Sequence, residues 1–253
     1  MFRKVVFLIC LVGVLSMVGS ASAALVAQYE FNGNFNDSSG NGLNGTPNGN
    51  AKVENGYLVL DNTAGQPSSY VDLGDNPAYF DITTAITLAA WVIPDIEIAK
   101  DKPIVQNGDE VGIKVKSNDT LEMYFHGSNL SWYVTNIPPA TVADMFADGK
   151  FHHVAGTYDS AVGELKLYVD GLLRATNTSP AVIPIGTLIN LSTHPVNIGR
   201  DSKNTTRLFT GKIDDVRIYN QALTGAEVMA LIPEPATVAM LGLGGLALLR
   251  RRK

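Results

Sequence analysis

Glu164-Leu165-Lys166-Leu167-Tyr168-Val169-Asp170-Gly171-Leu172-Leu173 is the stretch on which the fold turns. In an extended chain Leu165, Leu167 and Val169 fall on one side, and Glu164, Lys166 and Tyr168 on the other. Asp170-Gly171 follows at once, and apolar residues resume at Leu172. An Asp-Gly pair between such runs supplies the positive-φ positions of a tight reversal, so the stretch predicts a β-hairpin. Working outward, short apolar or alternating runs recur at 26–31, 57–60, 69–73, 87–93, 104–106, 110–116, 121–125, 131–135, 152–158, 164–169, 172–176, 196–198 and 211–219. Gly, Asn, Asp and Pro clusters separate them, with no long helical pattern between. Only 224–231 reads as a helix, with Thr224 as N-cap and Glu227 at the capping-box spacing. This pattern predicts an all-β fold, an antiparallel two-sheet sandwich.

Hydrophobic residues make up 45% of the 253 and charged residues 17%, a balance that fits neither a disordered chain nor a multi-span membrane protein. The formal net charge of −5 is unevenly spread. Arg3 and Lys4 mark one end and Arg250, Arg251, Arg252 and Lys253 the other, so residues 24–232 are more acidic than the whole. An acidic body argues against nucleic acid as a partner, because phosphate binding needs a basic surface.

Both ends read as addresses. After Arg3 and Lys4, residues 5–18 are apolar apart from Gly13 and Ser16, and Ala21-Ser22-Ala23 offers a small-residue cleavage site before Ala24. Residues 1–23 are therefore expected to be a secretory signal peptide. An uncleaved anchor is the alternative, but 14 residues reach only about 21 Å of an apolar layer about 30 Å thick. Cys10, the only cysteine, lies in this segment, so the exported chain has no disulfide. At the other end Pro233-Glu234-Pro235 precedes an uncharged apolar run at 236–249 and the basic cluster. This order predicts a short transmembrane helix with its basic end in the cytoplasm.

The string PEPATVAMLGLGGLALLRRRK resembles a PEP-CTERM sorting signal. That resemblance implies a Gram-negative envelope, transient insertion in the inner membrane, cleavage near Pro233, Glu234 and Pro235 by an exosortase-type protease, and delivery to the cell surface or extracellular matrix. A plain tail anchor is the alternative. The middle, 24–232, resembles a laminin G-like, concanavalin A-like jelly-roll domain. The resemblance is carried by Val26-Ala27-Gln28-Tyr29-Glu30-Phe31-Asn32-Gly33, by Leu88-Ala89-Ala90-Trp91-Val92, by Phe151-His152-His153-Val154-Ala155-Gly156-Thr157-Tyr158-Asp159, by Lys166-Leu167-Tyr168-Val169-Asp170-Gly171, and by 211–223. That scaffold hosts lectins, adhesion modules, glycosidases and structural repeats, so it implies fold more than function.

A glycosidase needs two carboxylates across a cleft. The Glu-x-Asp-x-x-Glu spacing of this superfamily's retaining glucanases is absent, and Glu110, Glu122 and Glu164 stand singly. The chain is read as no enzyme. His152 and His153 point to opposite faces of a strand, so they read as structural rather than as ligands of one ion. For calcium, Asp37 in the 32–42 loop and Asp215 in the closing strand are the candidate ligands of a structural Ca2+. A hydrogen-bonded Asx turn, with Asp215 paired to Arg217 or Arg200, is the alternative. For a glycan, Trp132 and Tyr133 with Asn129 form the candidate platform, since one of two adjacent aromatics on a strand must face outward. Trp91 reads as core. Asn-x-Ser/Thr sequons at Asn36, Asn44, Asn118, Asn129, Asn177, Asn190 and Asn204 read as products of a hydrated, turn-rich surface.

The function expected is an exported surface or matrix protein that binds polysaccharide or another surface component. The alternatives are an inert matrix component and a divergent glycan-active hydrolase or lyase. The intact mass of the secreted protein is expected to begin at Ala24 and to end between Pro233 and Pro235. A mass that retains 236–253 would remove the sorting reading.

Overall fold

The computed structural model describes residues 24–80, 82–95, 100–178, 182–190 and 192–233. The expected signal peptide, Glu234, Pro235 and the expected transmembrane helix lie outside the described residues. Among the described residues no helix is long and apolar enough to cross a membrane.

The strands are β1 (Leu25–Tyr29), β2 (Thr46–Asn48), β3 (Lys52–Glu54), β4 (Tyr57–Leu60), β5 (Tyr70–Asp72), β6 (Ala85–Pro94), β7 (Lys102–Asn107), β8 (Val111–Val115), β9 (Leu121–His126), β10 (Trp132–Ile137), β11 (His152–Asp159), β12 (Glu164–Val169), β13 (Leu172–Asn177), β14 (Val196–Ile198) and β15 (Gly211–Tyr219). The helices are α1 (Pro77–Phe80), α2 (Pro139–Phe146) and α3 (Gly225–Ala230). They build two antiparallel sheets, as the sequence predicts. One runs β13-β12-β11-β6-β15-β4-β3, with β1 also on β15; the other runs β10-β9-β8-β7-β14-β5-β2.

The deciding hairpin forms as read. Asp170 and Gly171 take φ of 50° and 74°, the paired positive values a two-residue turn requires. Leu165, Leu167 and Val169 are fully buried between the sheets with Ile86, Leu88, Ala90 and Val92 of β6. Ile113, Leu121, Met123 and Phe125 face them from the other sheet. Each of these side chains larger than alanine contributes about 1.5–3 kcal/mol on leaving water.

β15 carries the architecture. Gly211–Ile213 pair with β4, whereas Val216–Tyr219 pair with β1. Between them the register against β6 shifts from Asp214 to Arg217, and Asp215 takes φ 42°. This bulge is where the strand exchanges one neighbour for the other.

Three readings need correction. Trp91 is not core: Leu88, Ala90 and Val92 occupy the inward side of β6, and alternation puts Trp91 on the outer face, partly exposed, opposite His153 and Asp214. α2 was not expected; it starts with a proline at its first turn, where no N–H partner is lost, and buries Val142 and Phe146 four residues apart. β2 and β3 are too short and polar to alternate visibly. α3 forms with its capping box, Glu227 N donating to Thr224 Oγ1 at 3.3 Å and Thr224 N to Glu227 Oε2 at 2.8 Å. Its Val228 covers Ala89, Ala155, Tyr168 and Tyr219 on the outer face of the larger sheet.

Candidate functional site

Alternation along β10 separates the two aromatics. Trp132 faces solvent with 51% exposure, while Tyr133 is 5% exposed and points into the sandwich. Tyr133 stacks on Phe125 at 4.9 Å, and Phe125 lies 3.9 Å from the Tyr158 ring. The Tyr158 hydroxyl donates to the Thr187 carbonyl, so this buried column ties the 182–190 loop to the sheets. Asn129 sits in the β9–β10 turn and donates from Nδ2 to the Tyr133 hydroxyl at 2.7 Å. Of the three platform residues expected, the structure brings Trp132 to the surface, leaves Asn129 exposed in the turn, and buries Tyr133, to whose hydroxyl Asn129 donates. Tyr133 is corrected as a direct ligand contact, because the period of two that exposes Trp132 buries its neighbour.

The partner of Trp132 is His126, directly across the hairpin. Their rings stack at 4.8 Å with planes 19° apart. His126 Nδ1 is 2.9 Å from Glu110 Oε2; an ionised carboxylate only accepts, so Nδ1 is the donor. Asn190 Nδ2 donates to the same oxygen at 3.2 Å, and its main-chain N–H to the His126 carbonyl at 2.8 Å. A solvent-facing indole thus lies flat on a fixed imidazole, beside a carboxylate and an amide. His126, Glu110 and Asn190 were missed because each is alone in its own segment. The hairpin register that pairs 126 with 132 was the signal that could have found His126.

Behind the platform the outer face of the smaller sheet is charged and mutually paired. Lys114 Nζ lies 3.2 Å from Asp101 and 3.6 Å from Glu122, and 4.4 Å from the centre of the Tyr124 ring. Lys116 bridges Glu122 at 3.4 Å, Arg207 bridges Asp201 at 3.1 Å, and Lys203 bridges Asp109 at 3.0 Å. Burial works against the Asp101 carboxylate, but the Ser117 N–H and Lys114 outweigh it and hold its pKa below the ordinary range. Burial pushes the Tyr124 hydroxyl well up, and it donates to the Gly108 carbonyl at 3.2 Å. These acids are held by cations, an arrangement suited to shaping a surface rather than to moving protons.

Asp37 and Asp215 are both adjacent to Gln28 but engage different ends of it. Asp37 Oδ1 accepts from the Gln28 and Ser39 N–H groups at 3.0 and 2.9 Å, and Oδ2 from Ser39 Oγ and Leu43 N at 2.8 and 3.1 Å. Burial opposes its charge, yet these donors keep its pKa below normal. Asp215 is gripped by Arg217 at 2.9 and 2.7 Å and accepts Gln28 Nε2 at 2.8 Å. Protein donors occupy both oxygens of each carboxylate, four on Asp37 and three on Asp215, so the two as placed do not fit a shared calcium. Among the described residues no three His, Cys, Asp or Glu side chains gather as a metal set.

His152 and His153 part company as expected. His152 reaches Asp170 at 2.8 Å and Asp148 at 3.2 Å; burial lowers its pKa, but these two carboxylates outweigh it and the net shift is upward. His153 is buried edge-on to Trp91 at 5.3 Å, and burial pushes its pKa down to about 4. Across Trp91, burial first and the Asp215 carboxylate second push Asp214 up to about 6, against a hydrogen bond from the Asp215 N–H.

A family profile for the concanavalin A-like lectin/glucanases superfamily matches residues 64–229, and one for the PEP-CTERM protein-sorting motif matches 231–253. A Rattus norvegicus protein, described as sushi, von Willebrand factor type A, EGF and pentraxin domain-containing protein 1, is 26% identical over 152 residues. That match covers 58% of this chain and 4% of the relative. Among solved structures, the binding domain of botulinum neurotoxin DC in complex with SialylT superposes with a TM-score of 0.60 at 16% identity, covering 82% of this chain and 50% of that one. A botulinum neurotoxin type C structure, reported with cell entry dependent on two ganglioside molecules, gives 0.61 at 16% identity over the same shares. The neurotoxin DC binding domain with rat synaptotagmin II gives 0.58 at 17% identity, covering 82% and 51%. This chain therefore spans about half of those solved chains, and at such identities the likeness is one of fold.

On the outer face of the larger sheet, buried His153 and half-buried Asp214 make stability depend on pH. From 6.5 down to about 4 the unfolded chain protonates His153 and the folded chain does not, so this group withdraws stability as pH falls. From about 6 down to 3.8 folded Asp214 takes a proton that the unfolded carboxyl does not, so this group adds stability as pH falls. The two oppose each other over a shared window. His152 acts above it: its contribution is full below 6.5 and is lost as pH rises through its raised value. Asp214→Asn is expected to unmask His153, with stability falling by up to about 1 kcal/mol per pH unit on acidification from pH 6 to 4.5. Denaturant unfolding at stepped pH checks this; curves for wild type and variant that run parallel would overturn it.

Proposed function

The chain belongs to the concanavalin A-like lectin/glucanases superfamily and ends in a PEP-CTERM protein-sorting motif, and on that premise we propose that it is an exported surface or matrix protein whose laminin G-like module binds carbohydrate at the Trp132 platform. One observation carries the reading: a half-exposed indole stacked on an imidazole that Glu110 and Asn190 hold in place. A pyranose ring offers an apolar C–H face to such a plane and hydroxyls to the flanking carboxylate and amide. The interactions that SialylT and gangliosides make with neurotoxin neighbours support a glycan for this fold.

The module is taken as 24–232, between a removed signal peptide and a sorting segment cut near Pro233 by an exosortase-type protease. Export and surface sorting in a Gram-negative envelope follow from the motif. The paired acids behind the platform favour binding over hydrolysis. The Asp37 loop is held by protein donors, so we take calcium to be dispensable for the fold.

Trp132→Ala is expected to weaken retention on a polysaccharide panel by about tenfold, roughly the stacking and area a surface indole supplies. Because Trp132 is half exposed, the same change should cost under about 1 kcal/mol of stability. Glycan-array binding and denaturant unfolding measure the two. Equal retention by both proteins would remove the platform, and no retention by either would favour the inert matrix component. A chelator is expected to leave the melting temperature unchanged; a fall would restore the calcium reading, since a ion bound only to the folded state stabilises it by mass action.

A further inference from the structure

The chain leaves the described residues at Pro233, exposed, just beyond α3. Three residues later the uncharged apolar run 236–249 begins. Three extended residues span about 10 Å at most, so while that run is in a bilayer Pro233 is held close to the lipid surface. The surface around Pro233 is therefore the one turned to the membrane.

That surface is apolar. The solvent side of α3 shows Ala226, Met229 and Ala230, with Met229 45% exposed, beside one exposed acid, Glu227, whose carboxylate is turned back to cap the helix at Thr224. α3 packs against β13 at the Asp170-Gly171 turn, where a Cβ on Gly171 would stand 2.6 Å from Met229 Sδ. Beside it Leu173 is 50% exposed and pairs across the strands with Tyr168, which lies under α3 on the outer face. The charges nearest this patch are of both signs: exposed Arg174 next to Leu173, exposed Glu227 on α3, and Asp170 in the turn, which is paired with His152. The other end of the sandwich holds the 127–131 turn, the 182–190 loop and the β11–β12 turn, joined by Ser128 N to the Leu188 carbonyl and Gly186 N to the Ser160 carbonyl. Trp132 stands at that end, a strand length of about 20 Å from the Asp170-Gly171 turn.

We propose that the patch of Leu173, Ala226, Met229 and Ala230 seats on the lipid surface while the sorting segment is uncleaved, so that the Trp132 end faces away from the membrane. The proposal rests on the membrane reading of 236–249. The occupant is lipid because the covalent tether fixes the distance and the residues facing it, Leu173, Ala226, Met229 and Ala230, are apolar.

The chain from Ala24 to Lys253 has no cysteine, so single probes can be placed freely. Leu173→Cys, Met229→Cys and, as control, Val162→Cys in the β11–β12 turn would each carry a solvatochromic dye. Val162 is 52% exposed, so the control starts as wet as the test sites. The probe is a phosphatidylethanolamine/phosphatidylglycerol vesicle with a quencher on the acyl chains. Blue-shifted emission and about twofold or greater quenching at 173 and 229, with none at 162, are expected for a seated patch. A chain that floats with the vesicles but shows no change at 173 and 229 overturns the seating and leaves the membrane reading of the tail standing. A chain that does not float overturns that reading and the seating with it. A blue shift that needs the processing protease, and is absent with lipid alone, overturns lipid as the occupant.

Discussion

The pairing of the first strand with the last holds this molecule together. β1 and β15 lie at opposite ends of the domain sequence, and no disulfide joins anything between them. The entropy of bringing distant segments together must be met by apolar burial and ladder hydrogen bonds alone. β15 does so from the middle of the larger sheet, with β6 on one side and β4 and then β1 on the other. The bulge at Asp214 and Asp215 makes the exchange of neighbours possible, and Arg217 and Gln28 hold Asp215 in its positive-φ conformation. A carboxylate that looks from sequence like a cation ligand thus secures a strand junction.

Legibility in the sequence followed burial on one face. Leu165, Leu167 and Val169 alternate because one side of β12 packs and the other does not, and Asp170-Gly171 marks its end; both are local signals. β6 misled for the opposite reason. It is central in its sheet, and with α3 and neighbouring side chains covering much of its outer face it carries apolar residues on both sides. Trp91 therefore sits in an apolar run without being core. α2 was illegible because its helical signal is two buried residues behind a pair of prolines.

The candidate site was half legible. Alternation required Trp132 or Tyr133 to face outward, and the hairpin decides which. His126, Glu110 and Asn190 come from three separate segments and meet only through sheet register and the 182–190 loop. Sequence spacing carries no trace of such a meeting, which is why binding surfaces assembled across strands are harder to read than motifs within one. The same holds for the interlocked acids and cations behind the platform, where Lys114 on β8 joins Asp101 and Glu122 from two other segments.

Seaming a sheet with its earliest and latest strands has a kinetic corollary. A chain threaded outward from its N-terminus delivers β1 at the start, but β1 has no lasting neighbour until β15 emerges nearly two hundred residues afterwards. Native closure cannot precede the arrival of β15. A chain that appears from its N-terminus onward therefore stays open and collapses late, with its non-local pairings among the slowest to form. During that delay the unmet edge of β1 is open to any passing strand, so protection against mispairing falls due at this seam before anywhere else.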